Sequence, residues 1–183
     1  MDPEPTRSSD VTATTATVPT TATDALDFDA LYRESRDDVF AYAATLLRDS
    51  AAAEDVTALA FERAYSKRSR FNARRGSPRA WLFGIARNAA LDELRSRKRA
   101  AEAQIPGPLE APRPDEAAEF AAERDAVRAA LSRLPAKDRE VIALKFHADL
   151  SHAEIADVLG VSPTNAGTLL HRAMTKLREA VDA

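Results

Sequence analysis

The side chains best equipped for chemistry in this sequence are arginines, and the chemistry they offer is capture of a polyanion. Residues 61–99 hold 12 basic and 3 acidic side chains, a local charge of +9 in a chain whose net charge is only −3. Such a block is an electrostatic footprint for phosphate that the whole-chain balance hides. On either side the sign reverses: residues 1–60 hold 4 basic and 12 acidic side chains, and residues 100–126 hold 2 and 7. Bond-making chemistry has little to work with. The absence of cysteine removes thiolate nucleophiles, thiolate metal ligands and disulfides. Three histidines make a metal site sparse, and five glycines leave little for a phosphate-cradling loop. The carboxylates are scattered rather than gathered as nuclease metal ligands would be. Composition thus points to a binding protein with no catalytic residue, metal or cofactor.

The elements that must position these residues read as helices throughout. Phe28, Leu31, Tyr32, Val39, Tyr42 and Leu46 recur at spacings that keep them on one helical face. Asp49-Ser50 interrupts that stripe, and Val56, Leu59, Ala60, Ala64 and Tyr65 form a second. A loop around Asn72, Gly76 and Pro78 follows, where Ser77 is suited to cap a helix that has Pro78 at its first position. The third helix carries Trp81, Leu82, Ile85, Ala89, Leu91 and Leu94, and ends in Arg95, Arg97, Lys98 and Arg99. Strand-like alternation is absent, so the expected fold class is all-α.

Composition divides the chain. Residues 1–25 are Thr, Ala, Pro, Ser and Asp with almost no large apolar side chains, the signature of a disordered tail. Residues 100–118 carry Pro106, Pro108, Pro112 and Pro114 among Ala and Glu, which reads as an acidic, flexible linker. The expected architecture is therefore two small helical domains, 26–99 and 119–183, joined by that linker. No apolar run approaches the roughly 20 residues of a membrane helix, and the N-terminus lacks a secretory apolar core, so a cytoplasmic protein without membrane insertion is expected.

The second domain opens with a stripe of Phe120, Val127, Leu131 and Leu134 that stops at Pro135. Val141, Ile142, Leu144 and Phe146 then form a short apolar helix. Ser151 stands three residues before Glu154, the spacing of a reciprocal capping box. Ile155, Ala156, Val158 and Leu159 continue that helix until Gly160, which suits a left-handed stop. Ser162-Pro163 starts another, with Leu169, Leu170, Met174 and Leu177 on its buried side. Two short helices joined by a glycine turn make a helix-turn-helix, whose second helix is built to enter a DNA major groove.

Together the two halves resemble a known family. Asp55 and Phe61, followed by AWLFGIARNAALDELRSRKR (residues 80–99), are similar to region 2 of bacterial group 4 sigma factors, the extracytoplasmic-function (ECF) type of the sigma-70 family. LSRLPAKDREVIALKFHADLSHAEIADVLGVSPTNAGTLLHRAMTKLR (131–178) resembles region 4 of the same family. The resemblance implies a subunit that binds core RNA polymerase and directs promoter-specific transcription initiation. Region 2 would bind the polymerase clamp and melt and read the −10 element; region 4 would read the −35 element. It also implies an anti-sigma partner. A free-standing helix-turn-helix regulator is the alternative, but it leaves Phe71–Arg99 unexplained, because a duplex reader needs no melting loop.

Carried over residue by residue, the resemblance places the −10 contacts on the loop Phe71–Ser77 and on Asn88, whose amide can both donate to and accept from a flipped base. Phe71, Asn72 and Ser77 belong to that loop. Arg74, Arg75, Arg79, Arg87 and Arg95 are expected on phosphates, which fix register and make affinity salt-dependent. Trp81 reads as core. The polymerase-binding helix matches the family at Asp55 and Phe61, but Ala58 and Leu59 stand where a Gln-Glu pair is usual, which implies a more apolar contact. On the −35 helix, Thr164, Asn165, Thr168, His171 and Arg172 are the polar set near the groove, with Lys176 on a phosphate. Gly167 and Leu169 replace usual basic residues there, so intrinsic −35 binding is expected to be weak and to rely on polymerase.

Overall fold

The computed structural model describes residues 26–103 and 121–182; the expected tail at 1–25, most of the proline-rich segment and Phe120 lie outside them. Three long helices come first: α1 (Phe28–Leu47), α2 (Ser50–Lys67) and α3 (Pro78–Ala103). Four more follow: α4 (Ala121–Arg133), α5 (Ala136–Phe146), α6 (His152–Leu159) and α7 (Pro163–Val181). No strand occurs among the described residues, in keeping with the all-α reading.

Local chemistry sets most of the boundaries. Asp27 caps α1 by accepting from the Ala30 N–H at 2.9 Å, and Asp49 caps α2 through the Ala52 N–H at 3.1 Å. The Ser77 hydroxyl accepts from the Ala80 N–H at the start of α3 (3.1 Å). Ser151 and Glu154 form the expected capping box on α6, and Gly160 closes that helix in the left-handed region (φ 70°). The end of α3 departs from expectation. It runs to Ala103, four residues past the basic cluster at 95–99, because Ala100 and Ala101 are strong helix formers and the first proline comes only at 106.

Helices α1, α2 and α3 pack pairwise around Val39, Tyr42, Leu82 and Phe83, all fully buried. Helix α7 packs on α4, α5 and α6 around Leu144, Leu150 and Ile155. The two halves then meet: α1 lies against α5 and α3 against α6, so that one apolar cluster runs through both. Four stripe residues are not core: Tyr32, Tyr65, Val127 and Phe146 are all exposed. Tyr32 and Tyr65 are exposed at the rim, giving ring edges to Phe61 and Phe28. Phe146 is 61% exposed, because two residues beyond buried Leu144 a helix has turned to its opposite side.

Candidate nucleic-acid interface

The loop between α2 and α3 is built from two single 3₁₀ turns, Arg68–Arg70 and Ala73–Arg75. The Asn72 side-chain oxygen accepts the Arg74 N–H at 2.9 Å and so fixes the second turn. That leaves the Asn72 amide NH₂ available. Phe71 is half-buried and meets Trp81 edge to face, ring centroids 5.5 Å apart. Trp81 is thus half-buried rather than fully core, one side in the bundle and the other on the loop. An open pocket of about 450 Å³ is lined by Ser69, Arg70, Phe71, Asn72, Ala73 and Arg74.

Along α3, Trp81, Gly84, Asn88 and Arg95 fall at spacings of three, four and seven, which puts them on one face. Asn88 is exposed. A side chain at Gly84 would meet nothing within 4 Å, so the surface between Trp81 and Asn88 is a notch. The Phe71–Trp81 contact joins this face to the loop.

The arginines divide into two sets. Arg74 and Arg75 are exposed and form no ion pair among the described residues; Arg95 has a solvent-facing bond to Asp92 at 3.2 Å, a contact of little energetic weight. Arg79 and Arg87 are committed elsewhere. Arg79 bonds Asp38 and Ser35 on α1 and the carbonyls of His147 and Ala148 just after α5. Arg87 pairs with Glu140 of α5 at 2.6 Å, and the Glu140 side chain is only 10% exposed. Ser77, besides capping α3, donates its hydroxyl proton to Glu154 of α6. Arg97 is likewise held, by Glu93 at 2.6 Å and Asp49 at 2.9 Å.

Electrostatics follow this wiring. The Ser77 hydroxyl, with the Ser151 N–H and hydroxyl, holds the Glu154 carboxyl below the usual glutamate range against the opposing effect of its burial. The Ala52 N–H does the same for Asp49. Burial pushes His147 down, with Asp38 opposing; its Nε2 lies 3.1 Å from the Thr45 hydroxyl across the two halves. An unfolded histidine takes up a proton near pH 6.5, while the folded His147 site resists it. Stability from this group is therefore complete above about pH 6.5 and is lost as the pH falls toward the folded-state pKa. Denaturant unfolding between pH 7.5 and 5.5 should show that decline, and His147→Gln should flatten it.

In the second half, Thr164, Asn165, Thr168, His171 and Arg172 are all exposed on α7, opposite buried Ala166, Leu170 and Ala173. They share the outward face of α7. Thr168 donates to the Thr164 carbonyl at 3.0 Å, so its hydroxyl proton is used within the helix and its methyl is the freer contact. Lys176 is paired with Asp138 at 2.6 Å. A Cβ at Gly167 would meet only the His152 ring, at 3.7 Å, an ordinary contact. Gly167→Ala should therefore raise the unfolding free energy by up to about 1 kcal/mol, read in urea. A matching loss of −35 duplex affinity would show that DNA uses the close approach.

On α2, Asp55 and Ala58 are exposed and Leu59 is half-buried. Asp55 and Leu59 border a groove of about 330 Å³ against Ala89, Asp92, Glu93, Ser96 and Arg99 of α3. Phe61 departs from expectation: it is 6% exposed and packs against Phe28 and Tyr32, so it supports the helix from inside rather than facing a partner. Residues missed in the sequence are those that join the halves, namely Ser35, Asp38, Thr45, Glu140, His147 and Glu154. Only Glu154 had a local signal, its capping-box spacing.

Residues 31–100 match the sigma-70 region 2 family and residues 124–177 match sigma-70 region 4. The ECF RNA polymerase sigma factor SigL of Mycobacterium tuberculosis is 35% identical over 152 residues, covering 81% of this chain and 85% of that protein. SigM of Bacillus subtilis, also an ECF RNA polymerase sigma factor, is 27% identical, covering 84% of this chain and 94% of its own. Among solved structures, the sigma factor RpoE of Bartonella quintana, in complex with the anti-sigma factor NepR, superposes with a TM-score of 0.67. It shares 23% identity and covers 86% of this chain and 98% of RpoE, a likeness of fold. CnrH, solved with the cytosolic domain of CnrY, gives 0.63 at 26% identity, over 85% of this chain and 87% of CnrH.

Proposed function

Because the chain belongs to the ECF sigma factors of the sigma-70 family, we propose that its 71–77 loop and the outward face of α3 capture the melted −10 strand. A sigma factor directs promoter-specific transcription initiation by core RNA polymerase, through region 2 and region 4, and is itself non-catalytic. What supports the finer reading is one observation: Phe71, which lines the loop pocket with Asn72 and Arg74, packs edge to face on Trp81, at the start of the α3 face that carries Gly84 and exposed Asn88. An aromatic edge, a notch and a free amide in sequence suit an unstacked base better than a duplex groove. Arg74, Arg75 and Arg95 would hold phosphates. Asn165, Thr168, His171 and Arg172 on α7 would read the −35 duplex, with weak intrinsic affinity given their few charges.

Core polymerase would dock on the α2–α3 groove, meeting Asp55, Ala58 and Leu59. Residues 26–99 and 119–183 serve as the two working domains, with α3 extending four residues into the linker and 1–25 as a tail. The chain would act in the cytoplasm, without enzymatic activity of its own; no described helix is long and apolar enough to cross a membrane. The solved relative RpoE is bound to an anti-sigma factor, which supports a partner of that kind here. The test is co-purification with core polymerase followed by run-off transcription from a genomic promoter pool. Retention on core and discrete start sites are expected; failure to bind core in mild salt refutes the proposal. Tight sequence-specific duplex binding without polymerase would favour a free-standing regulator instead.

A further inference from the structure

We propose that Arg68, its guanidinium seated over the Tyr65 ring, is a platform on which a base of the melted strand stacks, just outside the 71–77 loop. The inference deepens the −10 reading argued above and rests on it.

Arg68 is an exposed arginine that the fold holds still. Its guanidinium carbon lies 3.9 Å from the centre of the Tyr65 ring, and Nη1 donates to the Tyr65 carbonyl at 2.7 Å. It forms no ion pair among the described residues. A surface arginine ordinarily keeps its rotamer freedom or yields it to a carboxylate. Here a ring and a backbone carbonyl fix it instead. The ring is anchored in turn: Tyr65 meets Phe28 edge to face at 5.1 Å, and Phe28 meets buried Phe61 at 6.3 Å. Tyr65 nevertheless remains 52% exposed, so the stack stands at the surface and is rooted in the core.

Its position suits a strand that occupies the loop. Arg68 opens the 3₁₀ turn Arg68–Arg70, and its carbonyl accepts the Phe71 N–H at 3.2 Å. Ser69, Arg70 and Phe71 line the loop pocket. One 3₁₀ turn advances about 6 Å, on the order of one nucleotide step in an unstacked strand. Lys67 and Arg70 are exposed on either side, which favours a polyanion over an acidic or neutral surface. A phosphate contact needs a cation but no ring beneath it. A planar cation held over an aromatic ring offers a face, and every base has a face to match it. The platform therefore adds affinity with little sequence preference, beside an Asn88 that reads an edge.

The probe is a single-stranded 12-mer selected from a random pool on polymerase assembled with this chain, over core alone. Arg68→Lys keeps the charge and removes the planar face. Tyr65→Leu removes the ring that positions it, and Tyr65→Phe retains that ring. Circular dichroism and pull-down with core confirm that all three fold and assemble. Arg68→Lys and Tyr65→Leu should each weaken strand binding by about five-fold or more, and Tyr65→Phe should bind as the native chain does. Each nucleotide is then replaced in turn by an abasic residue. At one position the abasic strand should bind native and Arg68→Lys polymerase equally, because the missing base and the missing face are one contact. Native-level binding by Arg68→Lys overturns the proposal. So does a loss that persists with every abasic strand, which would assign Arg68 to phosphate or to the fold. Asn88→Ala in the same series separates the two readings. Coupling of Asn88 to a base without coupling of Arg68 refutes the platform alone. Coupling of neither, or failure to select any strand, refutes the −10 reading and the platform with it.

Discussion

Replacing Phe83 by alanine should lower the unfolding free energy by about 3–5 kcal/mol, the largest stability loss expected from a single change on α3. Phe83 is fully buried, its ring edge-on to Tyr42 at 5.5 Å. Tyr42 is itself buried on α1, so the pair joins α3 to the helix that meets α5. Truncation removes the transfer free energy of a benzyl group and leaves a cavity between rigid helices that cannot collapse into it. The Arg79 guanidinium, 5.4 Å from the ring centroid, would lose that cation–π contact as well. Urea unfolding followed by far-ultraviolet circular dichroism measures the loss. Phe83→Leu, which keeps most of the volume, should recover most of it, whereas equal losses in the two variants would contradict a cavity origin.

Asn88→Ala should reduce open-complex formation by roughly 10- to 100-fold, the equivalent of about 1–3 kcal/mol for a lost base-edge contact, while binding to core polymerase is retained. Asn88 makes no side-chain hydrogen bond among the described residues and is exposed, so its removal leaves nothing unpaired in the fold and stability should be unchanged. Permanganate reactivity of melted thymines on a native promoter reads the effect, and pull-down with core supplies the control. Normal melting by the alanine variant would remove Asn88 from the site, and a loss of core binding in parallel would reassign it to the polymerase surface.

The boundaries legible in the sequence were those fixed by chemistry within three or four residues. Ser151 with Glu154, Ser77 before Pro78, and Gly160 each declare a helix end, because a cap is a contact between near neighbours. Burial was legible only where a stripe kept strict period: Val39, Tyr42 and Leu46 lie inside, but Phe146 and Tyr65 sit where the helix has rotated or run out of neighbours. The arginines show the deeper limit. A basic block declares that charge is available and says nothing about which carboxylate, many residues away, claims each guanidinium. Arg87 meets Glu140 across 53 residues and Arg79 meets Asp38 across 41. Arg74 and Arg75 meet none among the described residues, and in the sequence the four look alike.

Glu154 carries a consequence of another kind. One of its oxygens accepts the Ser151 N–H and hydroxyl at the start of α6; the other accepts from Ser77, whose own oxygen holds the first turn of α3. Two helix starts, far apart in the chain, thus depend on a single half-exposed carboxylate. Solvent exposure would mark the position as free to drift. Its double duty makes it intolerant of change, since aspartate is too short to span both, glutamine offers one oxygen where two are used, and any apolar substitute leaves both serine hydroxyls without that acceptor.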